Sequence, residues 1–407
     1  MLSPKNLADR SLPIFLFSIC IIYLILFFTL DKLQFTPIWD EPNFWQTSLT
    51  FSNSLTLPDT WLQDYKELNT PLPFIIFGFL EYLFKGGIFV GRLFNFIFSF
   101  LIAFLIGLPI NKKRKKAFLS LCGLFLFPYY LWLSGHLYTD IIASFFVLVG
   151  IICYIRSQHL VSGISFVLAI ASRQYMLVFP LAITAYELFN YLKVKLKINQ
   201  NSGQYKPQII RILTPLIATS SIFGWFLLFK GIAPQGAIAE RSVPQVQLSL
   251  WSVELNSSLY FIACIGLYFV IPELILFRPK LNFPSLFTRK NIILASVLLL
   301  LFIVFPPLKA HGILIKIAKL LPNDLLKLIL FYFLAFLTCL RFSNRLNLAF
   351  WILLVNSALM VKAFPWDKYA LPLLIVFWYL KSLGILDKNI TSISKNTDNK
   401  FSKQSPP

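Results

Sequence analysis

The sequence predicts an all-α, polytopic integral membrane protein with about twelve transmembrane helices and a non-cytoplasmic first loop carrying interfacial helices. Three observations lead there. Of 407 residues, 57% are hydrophobic and only 13% charged, where a soluble domain has about 25% charged, and the mean hydropathy is +0.72. The apolar excess recurs as runs of about 15 to 23 residues, the length needed to cross a hydrocarbon core of about 30 Å at about 1.5 Å per residue. The net charge of +20 falls in the short stretches between those runs. A soluble enzyme, a secreted disulfide scaffold and a disordered chain are excluded.

Taken in order, the first run, 12–30, follows Lys5 and Arg10 as a signal sequence would. It is long, however, and Asp31-Lys32-Leu33-Gln34 offers no small-residue cleavage site, so a retained span is expected. Further spans are expected at 88–110, 117–134, 138–155, 159–173, 175–192, 212–230, 257–277, 291–308, 325–340, 347–363 and 369–384. Segment 71–84, opened by Pro71 and Pro73 and closed by Lys85-Gly86-Gly87, is short for a span and suits a re-entrant or interfacial helix. Charge decides against a crossing there. Without it, Lys112 to Lys116, Lys193 to Arg211, Arg278 to Lys290, Arg341 to Arg345 and the tail from Lys381 share one side. Roughly 24 of the 37 basic residues then lie on the cytoplasmic side and roughly 12 of the 17 acids outside. Both termini are cytoplasmic in this arrangement. Residues 1–386 make the transmembrane domain, 387–407 a Ser-, Asn- and Lys-rich disordered cytoplasmic tail, and no appended soluble domain is expected.

The same parity places Asp40-Glu41, Tyr138-Thr139-Asp140, Arg173-Gln174, Arg241 and Asp367-Lys368-Tyr369 on one non-cytoplasmic face. External loop 31–70 adds Asp31, Asp59, Asp64 and Glu67 with Trp39, Trp45 and Trp61, and acids mixed with aromatics beside a membrane suit a sugar site. A transporter would place ionisable groups near the bilayer midplane and often repeat internally. Here Glu81, Arg92, Asp140, Arg173, Glu187, Glu273 and Lys362 lie near span ends, and the halves do not repeat.

The stretches Pro37-Ile38-Trp39-Asp40-Glu41, Gly91-Arg92-Leu93-Phe94-Asn95, Leu137-Tyr138-Thr139-Asp140, Ser172-Arg173-Gln174 and Lys368-Tyr369-Ala370-Leu371-Pro372 resemble, in order, the GT-C superfamily of polyprenyl-phosphate-sugar-dependent glycosyltransferases. Within it the chain is most similar to the dolichyl-phosphate-glucose-dependent alpha-1,2-glucosyltransferase family. The resemblance implies a membrane hexosyltransferase that takes a sugar, glucose by that likeness, from a polyprenyl-phosphate donor to a glycan or lipid-linked acceptor. Such an enzyme would sit in the inner membrane of a bacterium or the endoplasmic reticulum of a eukaryote. The sequence departs from the family in Asp140 where Glu occurs, in Lys368 where Arg occurs, and in lacking a His beside Ala239-Glu240-Arg241-Ser242, which leaves donor sugar and acceptor open.

Inverting transfer from a lipid phosphate needs a base for the acceptor hydroxyl and donors for the departing phosphate. Asp40 is the candidate base; ahead of Pro42 it is equally a good helix cap. Glu41 is a second catalytic candidate or a first-turn dipole complement. Arg173, with Gln174 beside it, is the candidate phosphate holder, against snorkelling to headgroups. Arg92, Tyr138, Asp140, Arg241, Asp367, Lys368 and Tyr369 are further substrate-contact candidates. No cofactor is required. His136, His159 and His311 are isolated, so no protein-bound metal site is expected, though a divalent cation could be shared by Asp40 or Glu41 and phosphate oxygens. The five cysteines lie in apolar runs without a CxxC and read as small hydrophobes. The scattered basic loops argue against nucleic acid and the 43 Phe read as lipid-facing packing. The rival function is a lipid-linked-saccharide flippase or transporter.

Overall fold

A computed structural model describes residues 4–53, 65–108, 110–196, 209–231, 233–240, 252–278 and 288–387. The described residues are helical, with one isolated bridge between His311 and Trp366 and no strand. In chain order they form α1 (Pro4–Thr29), α2 (Glu41–Leu49), α3 (Leu72–Phe84), α4 (Ile88–Gly107), α5 (Ile110–Phe125), α6 (Pro128–Ser134), α7 (Thr139–Ile155), α8 (His159–Ser172) and α9 (Val178–Lys195). They continue with α10 (Ile210–Ser220), α11 (Ile222–Phe229), α12 (Gln235–Glu240), α13 (Leu255–Ile265), α14 (Ile271–Phe277), α15 (Arg289–Val304), α16 (Ile313–Ala318), α17 (Asp324–Phe342), α18 (Leu348–Leu359) and α19 (Leu371–Ser382).

Five continuous helical stretches, Ile88–Gly107, Gln174–Lys195, Ile210–Phe229, Leu255–Phe277 and Asp324–Phe342, are long and apolar enough to cross a membrane. A sixth arises if α5 and α6 count as one span. That pair is the expected span over 117–134, and it is bent. The two helices meet at 77°, because Pro128 at the first position of α6 has no N–H to continue the α5 ladder. Segment 71–84 is the short helix α3, opened by proline and closed by Lys85 in left-handed conformation, φ 48°. Leu255–Phe277 carries a π turn at Gly266–Val270, where the backbone passes so close to α17 that a Cβ on Gly266 would lie 2.2 Å from the Leu334 carbonyl oxygen.

At the centre stands α19. Its sequence, Leu-Pro-Leu-Leu-Ile-Val-Phe-Trp-Tyr-Leu, is apolar all round, and every residue from Leu371 to Leu380 is buried. It packs on α4, α5, α7 and α18. Within a bilayer such contacts gain from close packing and interhelical hydrogen bonds more than from leaving water. Accordingly the Ser162 hydroxyl of α8 reaches the Gly150 carbonyl of α7 at 2.9 Å, and Thr338 of α17 reaches Ile262 O of α13 at 2.9 Å.

Ionisable groups collect at the two ends of this bundle. One end holds Glu273, which accepts from Arg341 Nε at 2.6 Å and Nη2 at 2.8 Å and also pairs with Lys381. The other is where α4, α7, α9 and α19 begin and α8 finishes, and there the candidate residues meet.

Candidate functional site

The site is built on a turn. After α1 the chain runs through Phe35, Thr36 and Pro37 to Ile38, turns at Trp39 and Asp40, and enters α2 at Glu41 with Pro42 next. Glu41 N–H donates to Ile38 O at 3.1 Å, and the Glu41 carboxylate accepts the Ile38 N–H at 3.1 Å, so one residue closes the turn twice. The carboxylate is itself anchored. Arg92, near the start of α4, donates Nε and Nη2 to its two oxygens at 2.9 Å each, and the Leu137 N–H donates at 2.7 Å. Arg92 spends its Nη1 on Leu33 O at 3.1 Å and Phe35 O at 2.7 Å and lies over the Phe35 ring at 3.9 Å. Both side chains of the pair are wholly buried. The structure thus places Glu41 and Arg92 together, with their bonding capacity spent on each other and on backbone, where they fix the turn that presents Asp40.

Asp40 is half-buried at the N-cap position of α2, yet its carboxylate makes no capping bond there and no side-chain hydrogen bond or ion pair among the described residues. Its N–H lies 3.4 Å from the Tyr138 hydroxyl, which ties the turn to the start of α7. Asn95 of α4 holds that second loop from below, donating to the carbonyls of His136 and Tyr138 at 2.7 Å each.

Asp140, in the first turn of α7, is buried and ion-paired to Arg173. Arg173 is extended, φ −155° and ψ 125°, in the break between α8 and the 3-10 turn Gln174–Leu177. Its Nη1 also reaches the Thr139 hydroxyl at 3.2 Å, while its buried Nε has no partner among the described residues. Tyr175 donates to the other Asp140 oxygen at 3.3 Å, and the Arg173 guanidinium lies 5.1 Å from the Tyr175 ring and 6.0 Å from the Tyr369 ring. Gln174 faces away, its amide donating to Leu68 O at 2.7 Å and pinning the end of the first loop to the bundle.

The third contributor is the 3-10 turn Asp367–Ala370 that leads into α19. Asp367 is buried, and one carboxylate oxygen takes the Tyr268 hydroxyl at 2.8 Å and the N–H groups of Ile313 and Leu314 at 2.7 and 3.0 Å. Burial pushes this carboxyl up from its ordinary range, and the donors pull against that rise. Gly312, at φ +108°, is obligatory beside it, since a Cβ there would lie 1.7 Å from the carboxylate. Asp367 therefore fastens α16 over the end of the bundle.

Lys368 points the other way. Only 4% exposed, its ammonium sits 3.7 Å from the Trp366 ring centre, 5.4 Å from that of Tyr138 and 5.8 Å from that of Tyr369. Among the described residues it has no hydrogen-bond or ion-pair partner. Burial pulls its pKa down from 10.5 to about 8, opposed by Asp140 and Asp40 across the site.

Asp40, Tyr138, Asp140, Arg173, Lys368 and Tyr369, expected from sequence to share a face, therefore converge at one end of the bundle. Glu41, Arg92, Gln174 and Asp367 support it, and Arg241 lies outside the described residues. Sequence reasoning missed Trp132, Tyr175, Trp366 and Tyr268. Tyr175 and Trp366 stand within two residues of chosen positions and their ring chemistry could have flagged them, whereas Tyr268 is an aromatic inside an apolar run with no local signal. Among the described residues no three His, Cys, Asp or Glu side chains gather. No protein-family model, curated protein or solved structure matches the chain.

Proposed function

We propose that this chain is an integral-membrane glycosyltransferase of the GT-C kind. It would move a hexose, glucose by resemblance, from a polyprenyl-phosphate carrier to a hydroxyl of a lipid-linked glycan or other acceptor, with inversion. Twelve crossings, cytoplasmic termini and a non-cytoplasmic site belong to the same proposal. One observation supports it most: among the described residues, a buried ammonium that makes no ion pair and a buried, Asp140-paired guanidinium whose Nε has no partner lie at the same end of the bundle as the Asp40 carboxylate, which makes no side-chain hydrogen bond or ion pair. A buried cation is costly unless an anion meets it, and a leaving phosphate is such an anion. In the reaction Asp40 takes the proton of the acceptor hydroxyl as that oxygen bonds to the anomeric carbon. The bond from that carbon to the phosphate oxygen breaks, and its electrons leave with the phosphate toward Lys368 and Arg173.

The test is transfer from a panel of radiolabelled polyprenyl-phosphate sugars by purified protein and by Asp40→Asn. Asn keeps the shape and any capping role but accepts no proton, so the rate should fall about 10²–10⁴-fold with the melting temperature unchanged. Normal turnover in the variant would remove Asp40 as the base, and absence of transfer from every donor would overturn the assignment.

A further inference from the structure

Trp39 has no part in the chemistry above, yet the fold holds it in an unfavourable place. Its φ of +56°, followed by −82° at Asp40, matches the central φ values of a II′ turn, whose first position is ordinarily glycine. The turn persists because Glu41 closes it from both its N–H and its carboxylate, with Arg92 and the Leu137 N–H behind. Burial does not explain the placement, since Trp39 is 60% exposed. Strained backbone that presents an open ring is the kind of feature that clusters at ligand sites.

The ring leans on two other indoles, Trp132 at 5.1 Å and Trp366 at 6.0 Å between centroids, each tilted 46°. Those two are fixed in turn. Trp132 stacks on His136 at 4.2 Å and 30°, and Trp366 donates its N–H to the Tyr129 hydroxyl at 3.3 Å. Trp366 is also the ring nearest the Lys368 ammonium, so the aromatic group borders the place assigned to the phosphate. Asp40 is the next residue along the chain.

A pyranose has an apolar face of C–H bonds carrying slight positive charge, and an aromatic ring offers a negative face to meet it. We infer that Trp39, with Trp132 and Trp366, forms the platform on which the terminal pyranose of the acceptor stacks, bringing a hydroxyl of that sugar to Asp40. This rests on the transferase assignment of the site. The ligand class it adds is a neutral saccharide, bound by ring stacking rather than by charge.

Trp39→Gly suits the turn better than tryptophan does, so the variant should melt no lower than wild type. Purified full-length protein is titrated with maltotriose, lactose, mannotriose and chitotriose by saturation-transfer NMR, and separately with citronellyl phosphate. Wild type should bind at least one saccharide, and Trp39→Gly should bind it about tenfold more weakly while holding citronellyl phosphate as before. Lys368→Met should show the reverse pattern. Unchanged saccharide binding in Trp39→Gly, no saccharide binding by wild type, or loss of both ligands together would each overturn the platform. If saccharide binding depends on Trp39 but no donor sugar is ever transferred, the platform stands and the transferase assignment falls. If transfer proceeds with an unaltered acceptor KM in Trp39→Gly, the platform alone falls.

Discussion

Glu41→Gln is the perturbation on which the structure speaks most quantitatively. The native carboxylate accepts four donors: two from Arg92 at 2.9 Å, the Leu137 N–H at 2.7 Å and the Ile38 N–H at 3.1 Å. A glutamine is nearly isosteric, but only its amide oxygen accepts. Its NH2 group would then face donors, and the buried Arg92 charge would lose its counter-ion. Breaking one side of a wholly buried pair costs about 3–5 kcal/mol, and a stranded backbone N–H adds about 1–3 kcal/mol. At about 2 °C per kcal/mol for a large domain, the melting temperature should drop by about 8–16 °C. The control is Asp324→Asn, which removes the exposed pair with Lys327, where Asp324 is 68% exposed. Such pairs contribute about 0–1 kcal/mol, so its melting point should move by at most about 2 °C. Both are measured by thiol-reactive dye or intrinsic fluorescence in one detergent. Equal small shifts for the two variants would refute the claim that Glu41 and Arg92 hold the turn.

Arg173→Ala should lose donor affinity and, by stranding buried Asp140, about 3–5 kcal/mol of stability; adding Asp140→Asn should restore the melting temperature but not citronellyl phosphate binding, and recovery of both would make the pair purely structural. Binding of citronellyl phosphate should weaken as pH rises through about 8, because the Lys368 ammonium is carried only below its lowered pKa, and Lys368→Arg should abolish that pH dependence; a flat wild-type titration between pH 7 and 9 would exclude the lysine. Cysteines placed at Thr36 and Lys115, both exposed and on opposite sides of the expected topology, should be labelled by an impermeant maleimide in intact cells at the first and not the second. Labelling only at the second would invert the site.

The helices were legible because span composition is a local property: each expected run coincides with a helix or helix pair. Pro128 was visible in the run 117–134 as well, and its missing N–H was the available signal for the break. Pairings were not legible. Arg92 and Glu41 are separated by 51 residues, and Arg173 and Asp140 by 33, so nothing local distinguishes a partnered cation from a free one. Arg173 reads from sequence as an interfacial arginine with little bearing on folding. Its burial against Asp140 makes it part of the packing as well. Lys368 and Asp367, neighbours in sequence, look like an ion pair, yet Asp367 turns to the Tyr268 hydroxyl and the start of α16 and leaves Lys368 among rings. That division depends on Gly312 and on a π turn in another helix, neither of which local sequence can reveal.

The transporter alternative asks for a polar route through the middle of the bundle, with ionisable or unwound elements near its midpoint. Along α19 the chain offers the opposite. From Leu371 to Leu380 the central helix is buried on every side, and the charged groups at its two ends are engaged separately: Lys368 with the aromatic cluster and Lys381 with Glu273 and Arg341. A polar solute following that axis would have to displace packed Phe377 and Trp378, the latter set against Gly123 so closely that a Cβ there would lie 2.4 Å from the indole. Among the described residues, the Asp40 carboxylate and the buried Lys368 ammonium share one end of the bundle, and neither makes a side-chain hydrogen bond or ion pair. Opposite charges held near each other but apart are at their most useful when a third group joins them. Under the proposed function, a donor phosphate that meets the lysine and an acceptor hydroxyl that meets the aspartate would together be such a group, and they would need a face of the bundle and not a passage through it.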